Sequence, residues 1–136
     1  MREIITLATA RREELVDITR QVAATVRRSG MRDGVAFLYA QGATAALMIQ
    51  ENWDDSVQTD AVNLLRQLIP RGVWLHDQQD GNGDAHLKAG LVGPSEVVPV
   101  IDGRLGLSQW QNIFFCEFDG PRQERHVVCT LLPADI

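Results

Sequence analysis

Asp102-Gly103 stands between two strand-like stretches, Glu96–Ile101 and Arg104–Leu107. An Asp-Gly pair suits the positive φ values of a type I′ turn, so the segment predicts a β-hairpin and commits this part of the chain to antiparallel sheet. Two longer strands are expected after it, Trp110–Phe118 and Arg125–Leu132, joined by Asp119-Gly120-Pro121-Arg122. The other end of the chain is also strand-like, with β-branched and apolar residues over 3–8. Helical spacing appears between these ends. Leu15, Ile18, Val22 and Val26 form one stripe between Glu13 and Gly30, with Arg27 and Arg28 at the negative end of the dipole and Gly30 as a left-handed cap. Where that helix begins is open, since Glu14–Thr19 also reads as extended with Thr19 as the N-cap. Gly34–Tyr39 is nearly all apolar and reads as a strand buried on both faces. Ala45–Gln50 reads as a further strand. Asp54 or Asp55 can cap a helix striped by Val57, Ala61, Leu64, Leu65 and Leu68 and stopped by Pro70. Val73–His76 reads as a short strand, and Asp84–Leu91 as a short helix ended by Gly93-Pro94. About eight strands and two or three helices, with strand-rich ends around the helices, predict an α+β fold.

The chain's 136 residues suit a single domain, 1–136, that can bury a core without disulfides. A net charge of −5 and the absence of a basic stripe argue against a nucleic-acid surface. No apolar run is long enough to cross a bilayer. Met1–Ile5 lacks the pattern of a signal peptide. Cys116 and Cys129 lie in apolar segments and are expected as free thiols, although a disulfide stays open on sequence alone. These features predict a cytoplasmic protein.

The stretch His76–Lys88 concentrates the side chains that bind metals or move protons near neutral pH. His76 and His86 flank a loop with Gly81 and Gly83, and Asp77, Asp80 and Asp84 lie among them. Two imidazoles can supply two ligands of a metal such as zinc, with carboxylates orienting them or acting as bases. The alternative is a polar surface loop in which Asp84 caps a helix and Asn82 makes an Asx turn. Lys88 is a candidate phosphate ligand, although helical spacing points it away from His86. Glu51, Asn52, Asp54 and Asp55 form a second polar cluster around Trp53, readable as an ordinary strand-to-helix loop. Thr44 could donate to an anion. Gln111 and Glu117 share a strand face with Ile113 and Phe115, so Glu117 needs a partner, for which Arg122 and Arg125 are candidates. His126 is expected exposed or structural.

Several of these pieces recur together in order. They include Val16-Asp17-Ile18-Thr19, Thr44-Ala45-Ala46-Leu47-x-Ile49-x-Glu51, Asn82-x-Asp84-Ala85-His86-Leu87-Lys88, Gly103-x-Leu105-x-Leu107-x-x-Trp110-Gln111 and Glu117-Phe118-Asp119-Gly120-Pro121-Arg122. In this order the chain resembles the YjbQ-like family, whose members often carry the label secondary thiamine-phosphate synthase. The resemblance implies a β-sandwich-like α+β domain assembled as a homotrimer. It also implies a weak activity joining a pyrimidine diphosphate to a thiazole phosphate, so a phosphorylated small molecule is the expected partner. A divalent metal such as zinc is implied among three histidines. Two carry over as His76 and His86, but the third belongs to a His-Thr-Thr motif that stands here as Gly42-Ala43-Thr44. Glu51, Asp84 or a neighbouring subunit would then have to supply the third ligand. Ser108-Gln109 also replaces the family's Gly-Thr before Trp110-Gln111. The expected catalytic pocket has His76 and His86 as ligands or acid–base groups and Glu51 or Asp84 as the orienting carboxylate, lined by Thr44, Asn82, Gln111 and Lys88. The rival expectations are a non-catalytic trimeric binding module that has lost its metal chemistry, and a metal-dependent phosphate-ester hydrolase.

Overall fold

The computed structural model describes residues 1–134. Among the described residues, eight strands form two antiparallel sheets. The larger has the order β1 (Arg2–Leu7), β8 (Arg125–Pro133), β3 (Gly34–Gln41), β5 (Ser95–Ile101), β6 (Arg104–Leu105). The smaller has the order β2 (Glu14–Asp17), β7 (Gln111–Glu117), β4 (Ala45–Glu51). The same residues include three α-helices: α1 (Thr19–Ser29), α2 (Ser56–Leu68) and α3 (Gly83–Val92). The α+β class and the antiparallel sandwich stand as expected.

Alternation along the strands explains the packing. Ala36, Leu38, Val98, Val100, Val127 and Leu131 project from one face of the larger sheet, while Ala45, Leu47, Ile113 and Phe115 project from the smaller sheet to meet them. The register fixes these contacts, with Ala36 opposite both Val98 and Leu131, and Leu47 opposite Phe115. Helix α1 adds Val22 and Val26 to the same core and ends at Gly30, whose φ of 69° is the left-handed cap read from the sequence. The other face of the smaller sheet carries Ala46, Cys116 and Phe118, which pack with Leu65 of α2 and with Ala85 and Ala89 of α3. The hairpin turns at Asp102 and Gly103, with φ of 52° and 81°.

Three expectations need correction. Val73–His76 is not a strand; Leu75–Gln78 is a turn of 3₁₀ helix. The Asp77 carboxylate accepts the Trp74 N–H at 3.0 Å, and that local bond closes a turn where no neighbouring strand offers a partner. Strand β3 is not buried on both faces. Ala36, Leu38 and Ala40 are buried, whereas Phe37 and Tyr39 face outward from a sheet that no helix covers on that side. In α2 only Leu65 of the expected stripe is buried, and Leu64 and Leu68 are exposed.

Candidate functional site

His76 rides on the 3₁₀ turn and His86 on α3, and one carboxylate sets the spacing between them. Asp77 Oδ2 accepts from Trp74 N, and its Oδ1 accepts from Gly83 N at 2.8 Å, which ties the turn to the first residue of α3. The same two backbone donors hold the Asp77 carboxyl below the usual range. Gly83 has to be small here, because a Cβ would lie 2.8 Å from Trp74 Cβ and 3.0 Å from Asp77 Oδ1. The two imidazoles meet edge to face, with centroids 4.7 Å apart and planes at 82°. His76 is exposed, and its Nε2 lies 3.5 Å from Asp80 Oδ2. Asn82, on the connecting turn, donates Nδ2 to Asp119 Oδ2 at 2.9 Å. Its Oδ1 is buried and has no partner among the described residues.

The remaining candidates lie elsewhere. Glu51 and Gln111 are cross-strand neighbours at the end of the β4–β7 pair, about six residues or ~20 Å from Ala45, where Thr44 leads into β4. Thr44 is buried and accepts from Arg125 at 3.0 Å. Asp84 and Lys88 face the interior. Lys88 is 1% exposed and donates to Glu13 at 2.9 Å and to Asp84 at 2.7 Å. Arg12 also reaches Asp84, and Arg66 reaches Glu13. Burial alone would raise the Glu13 and Asp84 carboxyls; the bonds from Lys88, Arg66 and Arg12 outweigh it and hold both below the ordinary range. The sequence reading missed Arg12, Glu13 and Arg66 because nothing local marks them; their partners are up to 75 residues away.

Glu117 has the partner its buried face demanded. Arg125 pairs with it through Nε and Nη2, and Thr9 donates to it at 2.7 Å. These bonds, with the Asp119 N–H, overcome the effect of burial and hold its carboxyl low. The Arg125 guanidinium also reaches Gly42, where a Cβ would fall 2.8 Å from Nη1. The Arg125 guanidinium therefore occupies the space beside Gly42 into which a larger side chain would project. Among the described residues, no group of three or more His, Cys, Asp or Glu side chains could hold a metal ion. A three-histidine centre does not fit the donors of one chain. Cys116 and Cys129 are free and buried, which pushes their thiols up to about 12 and about 11, so neither is a nucleophile near neutral pH.

A two-sheet α+β sandwich with a histidine pair at a helix start, His76 exposed and His86 half-buried, is the class that these features define. The family model described as UPF0047 protein YjbQ-like matches residues 3–134, and the chain belongs to that family. A UPF0047 protein of Methanocaldococcus jannaschii is 44% identical over 90% of this chain and 88% of its own length. YugU of Bacillus subtilis, also a UPF0047 protein, is 40% identical over 90% and 92%. Among solved structures, a protein of unknown function from Sulfolobus solfataricus superposes with a TM-score of 0.94 at 37% identity, covering 98% of this chain and 96% of that one. A hypothetical protein of Aeropyrum pernix gives 0.93 at 36% identity, with 98% of each chain covered. No helix is long and apolar enough to cross a membrane among the described residues.

Proposed function

We propose that the His76–His86 pair is the site at which this chain handles a phosphorylated small molecule, with the secondary thiamine-phosphate synthase reaction attributed to its family as the reading to test. The observation that carries it is the convergence of the two imidazoles on an open surface, 4.7 Å between centroids. The buried, unpartnered Asn82 Oδ1 on the same turn supports it, since a ligand N–H or O–H would satisfy it. A protonated His76 or His86 would neutralise charge on a departing diphosphate and could donate a proton to it. A divalent ion at this pair would need a further ligand from outside the chain. We also propose a homotrimer, supported by the outward apolar face of the larger sheet, where Ile4, Val97 and Leu132 are each more than half exposed.

The second reading is a binding module without metal chemistry, favoured by Arg125 filling the space at Gly42. One set of preparations separates the two. The joining of pyrimidine diphosphate to thiazole phosphate is measured for the wild type and His86→Ala, alongside bound zinc. The enzyme reading expects a loss of about a hundredfold or more in the variant. Unchanged activity in His86→Ala sinks it, and ligand binding without turnover or zinc supports the module.

A further inference from the structure

A cleft of about 440 Å³ lies between α2 and the segment leading through β2, well within the range of small-molecule sites. It shares no lining residue with the histidine pair. Two bonds orient its walls. Asn52 Nδ2 donates to Asp17 Oδ2 at 2.6 Å, and Arg66 Nε donates to Glu13 Oε1 at 2.9 Å. Strand β2 therefore runs antiparallel to α2, and the cleft has two chemically different ends. The floor includes Leu15 and the buried Phe114.

At the Glu13 end the charges are in surplus. Lys88, Arg12 and Arg66 share the two carboxylates Glu13 and Asp84, which leaves one positive charge over. Arg11 lines this end, and its guanidinium has no partner among the described residues. Glu14 stands nearby, with its carboxylate turned to the Ala10 and Arg11 backbone N–H groups. The Asp17 end has the opposite character. Asp17 itself is saturated by Thr19, Asn52 and Asn112. Asp55 precedes α2 without capping it through its side chain. Gln58 donates Nε2 to Glu51 O at 2.7 Å, but its Oε1 is buried and unpartnered. A buried acceptor in that state carries a desolvation cost that a donor would relieve. Gln58 and Arg66 are eight residues apart on one helix, about 12 Å along its axis, and both line the cleft.

We infer that this cleft binds a small dipolar molecule, with an oxyanion held by Arg11 and Arg66 and an ammonium or amide N–H donated to Gln58 Oε1 and Asp55. The shared chemistry covers ω-amino acids and amino-alkyl phosphates, whose charges stand apart. Complementary ends at a fixed separation make the two halves of such a ligand cooperate, so neither half alone binds comparably.

The test uses the full chain labelled for amide NMR, titrated with phosphoethanolamine, ethanolamine, inorganic phosphate and 4-aminobutyrate. At least one dipolar probe should bind at least about tenfold more tightly than either ethanolamine or inorganic phosphate. Its shifts should fall on Arg11, Asn52, Gln58 and Arg66. Arg11→Ala and Gln58→Leu should each weaken that probe about tenfold or more. Arg11 is exposed, so its variant folds whatever happens at Gln58. Inorganic phosphate binding as well as the dipolar probes would overturn the inference. So would shifts confined to the residues around His86, or no shift with either dipolar probe at millimolar concentration.

Discussion

Lys88 ends in the interior, its ammonium 2.9 Å from Glu13 and 2.7 Å from Asp84. In sequence it is two residues past His86 and invites a phosphate-binding role; in the fold it neutralises two carboxylates that have almost no access to water. Removing one member of a buried pair leaves its partners charged and unsolvated, which typically costs about 3–5 kcal/mol. Lys88→Met, of similar length and apolar, should lower stability by that amount in urea unfolding; a change under about 1 kcal/mol would show that water reaches the cluster. The pH dependence has a definite sign. Both carboxyls are depressed in the folded chain, so their contribution is complete above the ordinary carboxylate range and is lost as pH falls through the lowered values. The sequence showed that Glu117 needed a partner, because its strand face was apolar, and that partner, Arg125, is eight residues away. It showed nothing of the kind for Glu13, which follows two arginines and looks solvated.

The strands were readable at the scale of elements because period-two alternation and the Asp-Gly turn are local signals. The 3₁₀ turn under His76 was not, because Val73, Trp74 and Leu75 look like a strand, while Leu75 is 89% exposed and its run has no sheet to join. The bonds from Trp74 and Gly83 to Asp77 decide the conformation there, and they are invisible to hydropathy. The convergence of the two histidines depends on that joint between the 3₁₀ turn and α3. Gly83→Ala should open it. The added methyl meets Trp74 Cβ, an atom fixed to the backbone, and overpacking of this kind costs about 1–3 kcal/mol. Hydrogen exchange should show faster exchange at Asp77, Gln79 and Ala85 with the sheets unaffected, and the activity assay should fall with it. Unchanged protection across this joint would mean that the turn is held by something other than Asp77.

Among the described residues, apolar side chains stand exposed on both outer layers of the molecule. One is the outer face of the larger sheet, with Phe37, Tyr39 and Val97; the other is on the helices, with Leu64 and Leu68 of α2 and Leu87 and Leu91 of α3. The apolar run of β3, which reads as doubly buried, makes sense if another copy covers its second face. A closed three-fold ring needs a heterologous contact, in which one surface of each chain meets a different surface of the next. A two-fold dimer needs only one self-complementary patch. Two distinct patches close such a ring if the sheet face of one chain meets the helix face of the next. Sedimentation should give three chains for the wild type, and Val97→Lys or Leu64→Lys alone should dissociate it. Mixing those two variants should restore a heterodimer, because one pairing joins the intact sheet face of one chain to the intact helix face of the other. If each variant stays trimeric, neither patch is the interface. If the mixture stays monomeric although each variant is folded, the two faces do not meet each other, and the head-to-tail ring is wrong.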